Sequence, residues 1–244
     1  MLKSPIFLAY AIGGYIVGQL SLMYLMGFFI DVAVPKGISA GVITSPFSAV
    51  LIDVALVLVF GLHHSITARA SFKRWWTMFI PAPIERATYL FMTAAMTAGL
   101  VYFWHPIPIT IWKVDGLWAI NAFYVAYGLV WTMMLFATFQ FGHLDFFGVR
   151  QAWVNFRKHP PQPNGITIGL LYALVRHPIS LGWMIAPLMT PHLTVGHVVF
   201  SGAAFLYIIA ATPFEEADLI EELGNRYRQY RKHTPAYFPW FRQK

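Results

Sequence analysis

The chain has no cysteine, and it has very little charge. Without cysteine there is no disulfide, no thiolate nucleophile and no cysteine-based zinc or iron–sulfur site. Only 11% of residues are charged while 58% are hydrophobic, against about 25% charged in ordinary soluble domains. A water-soluble globule is excluded. Four stretches contain no Asp, Glu, Lys or Arg at all: Ser4 to Ile30, Ala87 to Trp112, Gly116 to Leu144 and Pro178 to Phe214. Each exceeds the roughly 20 residues that cross a hydrocarbon core as a helix. A fifth, Gly37 to Thr67, is broken only by Asp53. The first stretch is too long for the apolar part of a signal peptide and shows no small-residue cleavage pattern, so it reads as a spanning helix. The fold expected is all-α, a polytopic transmembrane helical bundle forming one domain.

The formal net charge is +7, but the basic residues flank apolar stretches instead of forming one stripe. That pattern indicates membrane orientation, not nucleic-acid binding. Arg69, Lys73, Arg74 and Arg86 fall in one loop region, Arg150, Arg157, Lys158 and Arg176 in another, and Arg226, Arg228, Arg231, Lys232, Arg242 and Lys244 in the tail. By the positive-inside rule these regions share the cytoplasmic side, while the loops around Lys36 and Lys113 lie outside. Alternation gives an inside N-terminus, spans near residues 5–30, 47–64, 87–104 and 117–141, and an apolar C-terminal stretch that must enter and return as a hairpin. Pro187, Thr190 and Pro191 supply its break, with arms near Ser180 to Met189 and Thr194 to Thr212. The acids from Glu215 to Glu222 followed by the bases from Arg226 to Lys232 suggest an amphipathic cytoplasmic tail helix, acids first. Trp104, Trp112 and Trp118 fall where an outer aromatic belt is expected.

Two polar clusters stand at the feet of that hairpin: Arg176-His177-Pro178 with Gly182 before it, and Glu215-Glu216 where it returns. A cation, an imidazole and two carboxylates at one membrane depth suit a small zwitterionic cofactor bearing an amino group, a carboxylate and hydroxyls. The alternative is plainer, with basic interface anchors and an acidic helix start. Asp53 lies within a span, where ionisable residues are functional candidates, or where it satisfies hydroxyls of a neighbouring helix. The Gly14-x-x-x-Gly18 spacing permits close helix approach and a homodimer.

The compound pattern Arg176-His177-Pro178-x-x-x-Gly182, Glu215-Glu216-x-x-Leu219, Gly224-x-x-Tyr227-x-x-Tyr230 and Pro235 to Pro239 resembles the C-terminal signature of the membrane methyltransferases that include isoprenylcysteine carboxyl methyltransferase and phospholipid methyltransferases. The resemblance implies an S-adenosyl-L-methionine site, with His177, Gly182 and Glu216 touching the cofactor and Arg176, Glu215 and Tyr227 in support. It departs from the pattern at Ile179-Ser180 and at Leu223. His63-His64-Ser65-x-x-Ala68-Arg69, Glu85-Arg86-x-x-Tyr89 and Gly142-His143-x-Asp145-x-Phe147-Gly148-x-Arg150-Gln151 are similar to the bacterial methanethiol S-methyltransferases. With these the resemblance covers nearly the whole chain, and it implies a bacterial inner-membrane enzyme with both termini cytoplasmic.

A sulfonium methyl is already a strong electrophile, so such an enzyme must align donor and acceptor and deliver the acceptor as thiolate. His64, His143 and Asp145 are the candidates for that base, Asp145 orienting a histidine. Their other reading is a hydrogen-bond network tying helix ends together. His63, His64, His143 and Asp145 have the chemistry of metal ligands, but no tight spacing such as His-x-x-x-His supports a metal. On this reading residues 1–145 carry the acceptor side, residues 170–240 bind the cofactor, and S-adenosylhomocysteine is released. The competing readings are a prenylcysteine or phospholipid acceptor and, in another class, a b-type haem or transport protein. Haem ligands are expected within facing spans, whereas these histidines fall at helix ends.

Overall fold

A computed structural model describes residues 3–158 and 169–239. Among them run α1 (Lys3–Ile30), α2 (Pro46–Ala68), α3 (Ala70–Trp76), α4 (Glu85–Phe103), β1 (Thr110–Lys113), α5 (Leu117–Gln140), α6 (His143–Phe146), α7 (Val149–Arg157), α8 (Leu170–Leu174), α9 (Pro178–Ile185), β2 (His192–Thr194), α10 (Val195–Leu223) and α11 (Asn225–His233). Arg242 and Lys244 lie outside the described residues.

Four helices, α1, α2, α5 and α10, are long and apolar enough to cross a membrane. In lipid the backbone must satisfy its own polar groups, which is why unbroken apolar runs become helices whatever their side chains prefer. The 19-residue α4, about 28 Å long, packs along α1 and α2 in the same bundle. The architecture is the expected all-α bundle, with one small ladder added. The core is a seam of large side chains, including Phe28, Phe29, Trp104, Tyr127, Trp131 and Phe200. Close approach at Gly14 is filled by Ala87, and at Gly18 by Leu90, both from α4 of the same chain. The glycine spacing is therefore used within the molecule.

The first arm of the expected hairpin is α9, only eight residues long. It is extended by a 3-10 turn at Ala186–Leu188 and then by the extended segment that forms β2. β2 pairs antiparallel with β1, Thr110 opposite Thr194 and Lys113 opposite His192. The ladder closes one end of the bundle, here named the ladder end. The opposite end gathers Arg176, His177, Glu215 and Glu216 and is named the ionic end.

Three expectations are corrected at this point. The return arm does not stop at Thr212, and no separate acid-first tail helix begins at Glu215. Instead α10 runs through Pro213 to Leu223. The acids sit on its last turns, against the helix dipole, and cations from elsewhere offset them, as Arg69 does for Asp218 at 3.3 Å. The break falls at Gly224, whose φ of 62° with ψ of −134° suits a residue without a Cβ, and the bases follow on α11. Trp104 is not a lipid-facing belt residue. It is 1% exposed, and its Nε1–H donates to the Ile38 carbonyl at 3.1 Å. Asp53 does not meet Ser or Thr hydroxyls of a neighbouring helix. Fully buried, it accepts the His105 backbone N–H at 2.9 Å, just beyond the end of α4.

Candidate functional site

The ionic end is organised by one carboxylate. Glu216 is 3% exposed. Its Oε1 accepts Arg176 Nε–H at 2.7 Å and His177 Nε2–H at 3.1 Å, and its Oε2 lies 3.1 Å from Arg231 Nε. Three cation-type donors on two oxygens leave Glu216 little further capacity. Arg176 also donates through Nη1 to the Arg231 carbonyl at 3.1 Å and to the Thr234 carbonyl. The chain beyond α11 then folds back, the Arg176 and His177 N–H groups donating to the Pro235 and Ala236 carbonyls at 2.9 and 3.0 Å. Tyr237 thereby comes to rest with its ring centroid 5.8 Å from that of His177 and its hydroxyl against Thr212.

Glu215 differs. Its side chain is 60% exposed, and its Oε2 lies 3.8 Å from His177 Nδ1. It lies within electrostatic reach of Tyr172, Tyr227 and Tyr237 on one side and of Tyr89 on the other. Tyr227 is buried at the back of this wall. Burial also pushes the Tyr230 hydroxyl up to about 12, and it donates to the Tyr172 carbonyl at 2.5 Å. Gly182 is buried where α9 meets α5, and a Cβ there would overlap Met134. Its visible duty is to let those two helices touch.

The facing wall is built by α2 and α4. Tyr207 of α10 fixes α2, its hydroxyl bonded to the Gly61 carbonyl and to Ser65 Oγ, both at 2.6 Å. A Cβ on Gly61 would come within 2.7 Å of the Tyr207 ring. One turn further along, His64 stacks on Phe60 at 5.8 Å. Its side chain is exposed at the C-terminal part of α2, facing Tyr89 of α4. The Tyr89 hydroxyl lies 2.9 Å from both ring nitrogens of His64. A group equidistant from both cannot lie along the in-plane lone pair of either, so neither nitrogen is committed to it. Arg86, one helical turn before Tyr89, packs its guanidinium 5.0 Å from the Tyr89 ring and 5.5 Å from the Phe146 ring. Its Nε–H donates to the Phe146 carbonyl at 2.9 Å.

His143 is closed where His64 is open. Its Nδ1 is 2.7 Å from Thr138 Oγ1 and its Nε2 is 2.9 Å from the Tyr15 hydroxyl. Thr138 gives its one hydroxyl proton to the Leu135 carbonyl at 2.7 Å, so it accepts from His143 Nδ1–H. Nε2 is then left to accept the Tyr15 proton. Burial holds His143 below the ordinary imidazole range, in keeping with this neutral form. Asp145 does not orient a histidine as expected. Its Oδ2 pairs with Arg150 Nη1 at 2.7 Å, because α6 and α7 are short and place the two side chains on adjoining turns. Among the described residues no three His, Asp or Glu side chains are grouped to hold a metal ion.

The structure thus gathers Arg176, His177, Glu215, Glu216 and Tyr227 around one wall. His64 stands on the other, and Tyr89 and Phe147 lie in one apolar cluster that leads on to His143. Sequence reasoning gave no role to Arg231, Tyr237, Tyr15 or Arg86. Arg86 and Tyr237 lay inside quoted motifs, and the pairing of Arg231 with Glu216 crosses a helix break that no spacing rule anticipates.

No protein-family model matches the chain, and no solved structure matches it. Curated proteins do. A methanethiol S-methyltransferase of Crocosphaera subtropica is 37% identical over 237 residues, covering 97% of this chain and 93% of that protein. One of Mycobacterium tuberculosis is 36% identical over 239 residues, 98% of each chain. Methanethiol S-methyltransferase 2 of Bradyrhizobium diazoefficiens is 38% identical over 234 residues, 95% of this chain and 89% of that one. Identity of this level over almost the full length of both partners, on a helical membrane bundle, places the chain in the methanethiol S-methyltransferase family.

Proposed function

We propose that this protein transfers a methyl group from S-adenosyl-L-methionine to methanethiol, releasing dimethyl sulfide and S-adenosylhomocysteine, at the ionic end of the bundle. One observation carries the reading. An accessible histidine, His64, and an exposed carboxylate, Glu215, stand on opposite walls of the same end. On this reading the end faces the cytoplasm of a bacterial inner membrane, both termini with it, since Arg69, Lys73, Arg74, Arg150 and Arg176 cluster there. The polar donor then enters from water and the small apolar thiol from lipid.

The donor carries an ammonium and ribose hydroxyls that require acceptors, and an adenine ring that requires an aromatic or apolar slot. Glu215, His177 and Tyr237 fit those needs. Arg176, Glu216, Arg231 and Tyr227 hold them in place, and Gly182 lets α9 approach α5 behind them. The bound donor supplies an activated methyl group. The chain's own task is to align the acceptor sulfur with it and to take up the thiol proton. His64 is the base because it is exposed and its nitrogens share a single hydroxyl, that of Tyr89. His143, saturated by Tyr15 and Thr138, and Asp145, paired with Arg150, steady the helix ends that carry this wall. Residues 1–145 thus serve the acceptor and residues 170–240 the donor.

The test is a methyl-transfer assay on detergent-purified protein with S-adenosylmethionine and methanethiol, following dimethyl sulfide in the headspace. Wild type turns over. His64→Ala loses turnover while retaining cofactor binding, and His177→Ala loses both. Cofactor binding without any dimethyl sulfide in the wild type would reject the thiol acceptor and direct the search to lipid acceptors.

A further inference from the structure

Arg86 is a cation the structure has positioned with care and left without a counter-charge. Three features fix it. Its Nε–H is tied to the Phe146 carbonyl at 2.9 Å, and its guanidinium packs against the Tyr89 and Phe146 rings. Gly148 lies directly against it, where a Cβ would fall 2.6 Å from Arg86 Cβ and 2.8 Å from Cγ. The loop after α6 can reach Arg86 only because that side chain is missing. Among the described residues no carboxylate lies within ion-pair distance of Arg86, although Arg69, Arg150, Arg176 and Arg231 each have one. The titratable and charged groups around it are Glu85 and Tyr89 on its own helix, Lys73 on α3, His63 and His64 on α2 and, opposite, Glu215 and Glu222 on α10. Asp145, on the adjoining α6, is spent on Arg150.

A half-buried guanidinium without a carboxylate keeps its charge available to stabilise an anion, and that charge is worth more there than in water. His64 lies within electrostatic reach of that guanidinium. Burial, and after it the charge of Arg86, holds the Lys73 ammonium below the usual lysine range, so the field of Arg86 is felt around it.

We infer that Arg86 is a catalytic residue that holds the acceptor as a thiolate beside His64, an inference that rests on the thiol-methylation reading above. The thiol S–H bond breaks, with the proton passing to His64 and on to water, and the sulfur keeps the electron pair under the guanidinium. That sulfur forms the new S–CH3 bond while the donor's S–CH3 bond breaks. The bonding pair stays on the donor sulfur, which becomes a neutral thioether.

The experiment compares wild type, Arg86→Gln and Arg86→Lys with methanethiol and with the more acidic 2,2,2-trifluoroethanethiol, each across a pH series. Cofactor affinity and thermal unfolding are measured alongside. With methanethiol Arg86→Gln loses about a hundredfold in kcat/KM, the usual scale for removing one positioned charge stabiliser. With the acidic thiol it loses tenfold less, and its acid limb moves up by about one pH unit. Arg86→Lys keeps the limb near its wild-type place. Cofactor affinity is unchanged in both. Equal losses for the two thiols with an unmoved limb would make Arg86 a packing residue and overturn the inference alone. A raised cofactor KM with unaltered thiol selectivity would assign Arg86 to the donor carboxylate and overturn it as well. Wild type that methylates neither thiol would remove the functional reading and this inference with it. Should Arg86→Gln not fold, the wild type decides. Its turnover must vary little with thiol acidity, and a steep rise toward acidic thiols would mean that ionisation is unaided.

Discussion

The two ends of the bundle use their polar residues in opposite ways. At the ladder end several polar side chains terminate on backbone. Lys36 Nζ donates to the Tyr102 and Trp104 carbonyls at 2.7 and 3.0 Å, a cation where a helix C-terminus wants one. Asp53 accepts from His105, and Trp112 Nε1–H donates to the Thr190 carbonyl at 3.1 Å. His197, 1% exposed, accepts the Thr194 N–H at Nδ1 and donates from Nε2 to the Phe29 carbonyl at 2.8 Å. At the ionic end many pairings join side chain to side chain, and Glu215, His64 and Arg86 stand apart from the tight ion pairs. A polar group that caps backbone holds a fold, whereas one left outside the tight pairs is available for chemistry. Buried charge in a membrane protein is therefore sorted by its partner and not by its depth.

The largest break in this comparison comes at Glu216. Glu216→Ala leaves Arg176 buried without its carboxylate, so stability falls by about 3–5 kcal/mol and cofactor affinity is lost, as read by thermal unfolding in detergent and by equilibrium binding. Asp53→Ala removes the acceptor of the His105 N–H and costs about 1–3 kcal/mol. Its folded fraction should keep wild-type kcat, and a collapse of kcat at unchanged stability would place Asp53 in the chemistry. Tyr15→Phe removes the proton donated to His143 Nε2, costing about 0.5–1.5 kcal/mol. Dimethyl sulfide formation falls less than threefold if His143 only steadies its helix end, which a steady-state assay resolves. The smallest effect is a pH slope. Burial lowers the pKa of His143 in the folded protein, so the unfolded chain binds more protons between the folded value and about 6.5. Stability contributed by neutral His143 is complete above that pH and lost as pH falls toward the folded value. Melting curves of His143→Gln should lack that part of the acid slope.

Much of this was legible in the sequence. The apolar runs became helices with ends within a few residues of expectation, because lipid leaves the backbone no other partner. The stop of α10 was misplaced, since Pro213 and the following acids look like an ending. They are carried through by cations contributed from α2, α8–α9 and α11 territory, which no local pattern reports. Trp104 read as belt and Asp53 as mid-span for the same reason: their partners, Ile38 and His105, are remote or beyond a helix end. At the site, both clusters were visible as residues, but Glu215 and Glu216 are adjacent and identical in type. Only exposure separates the anchor from the free carboxylate. His64 and His143 likewise differ in exposure and in the hydroxyls around them.

The unbroken course of α10 ties the two ends mechanically. His197 is pinned to α1 near one end, and Glu216 gathers its three donors nineteen residues later, about 28 Å along the axis. The helix is a lever with its fulcrum at the ladder. A tilt of five degrees displaces Glu216 by about 2.5 Å, comparable to the length of one hydrogen bond. The tilt of a spanning helix is set by packing against its neighbours, so the seating of α10 on α2 and α9 is what keeps the donors of Glu216 within reach.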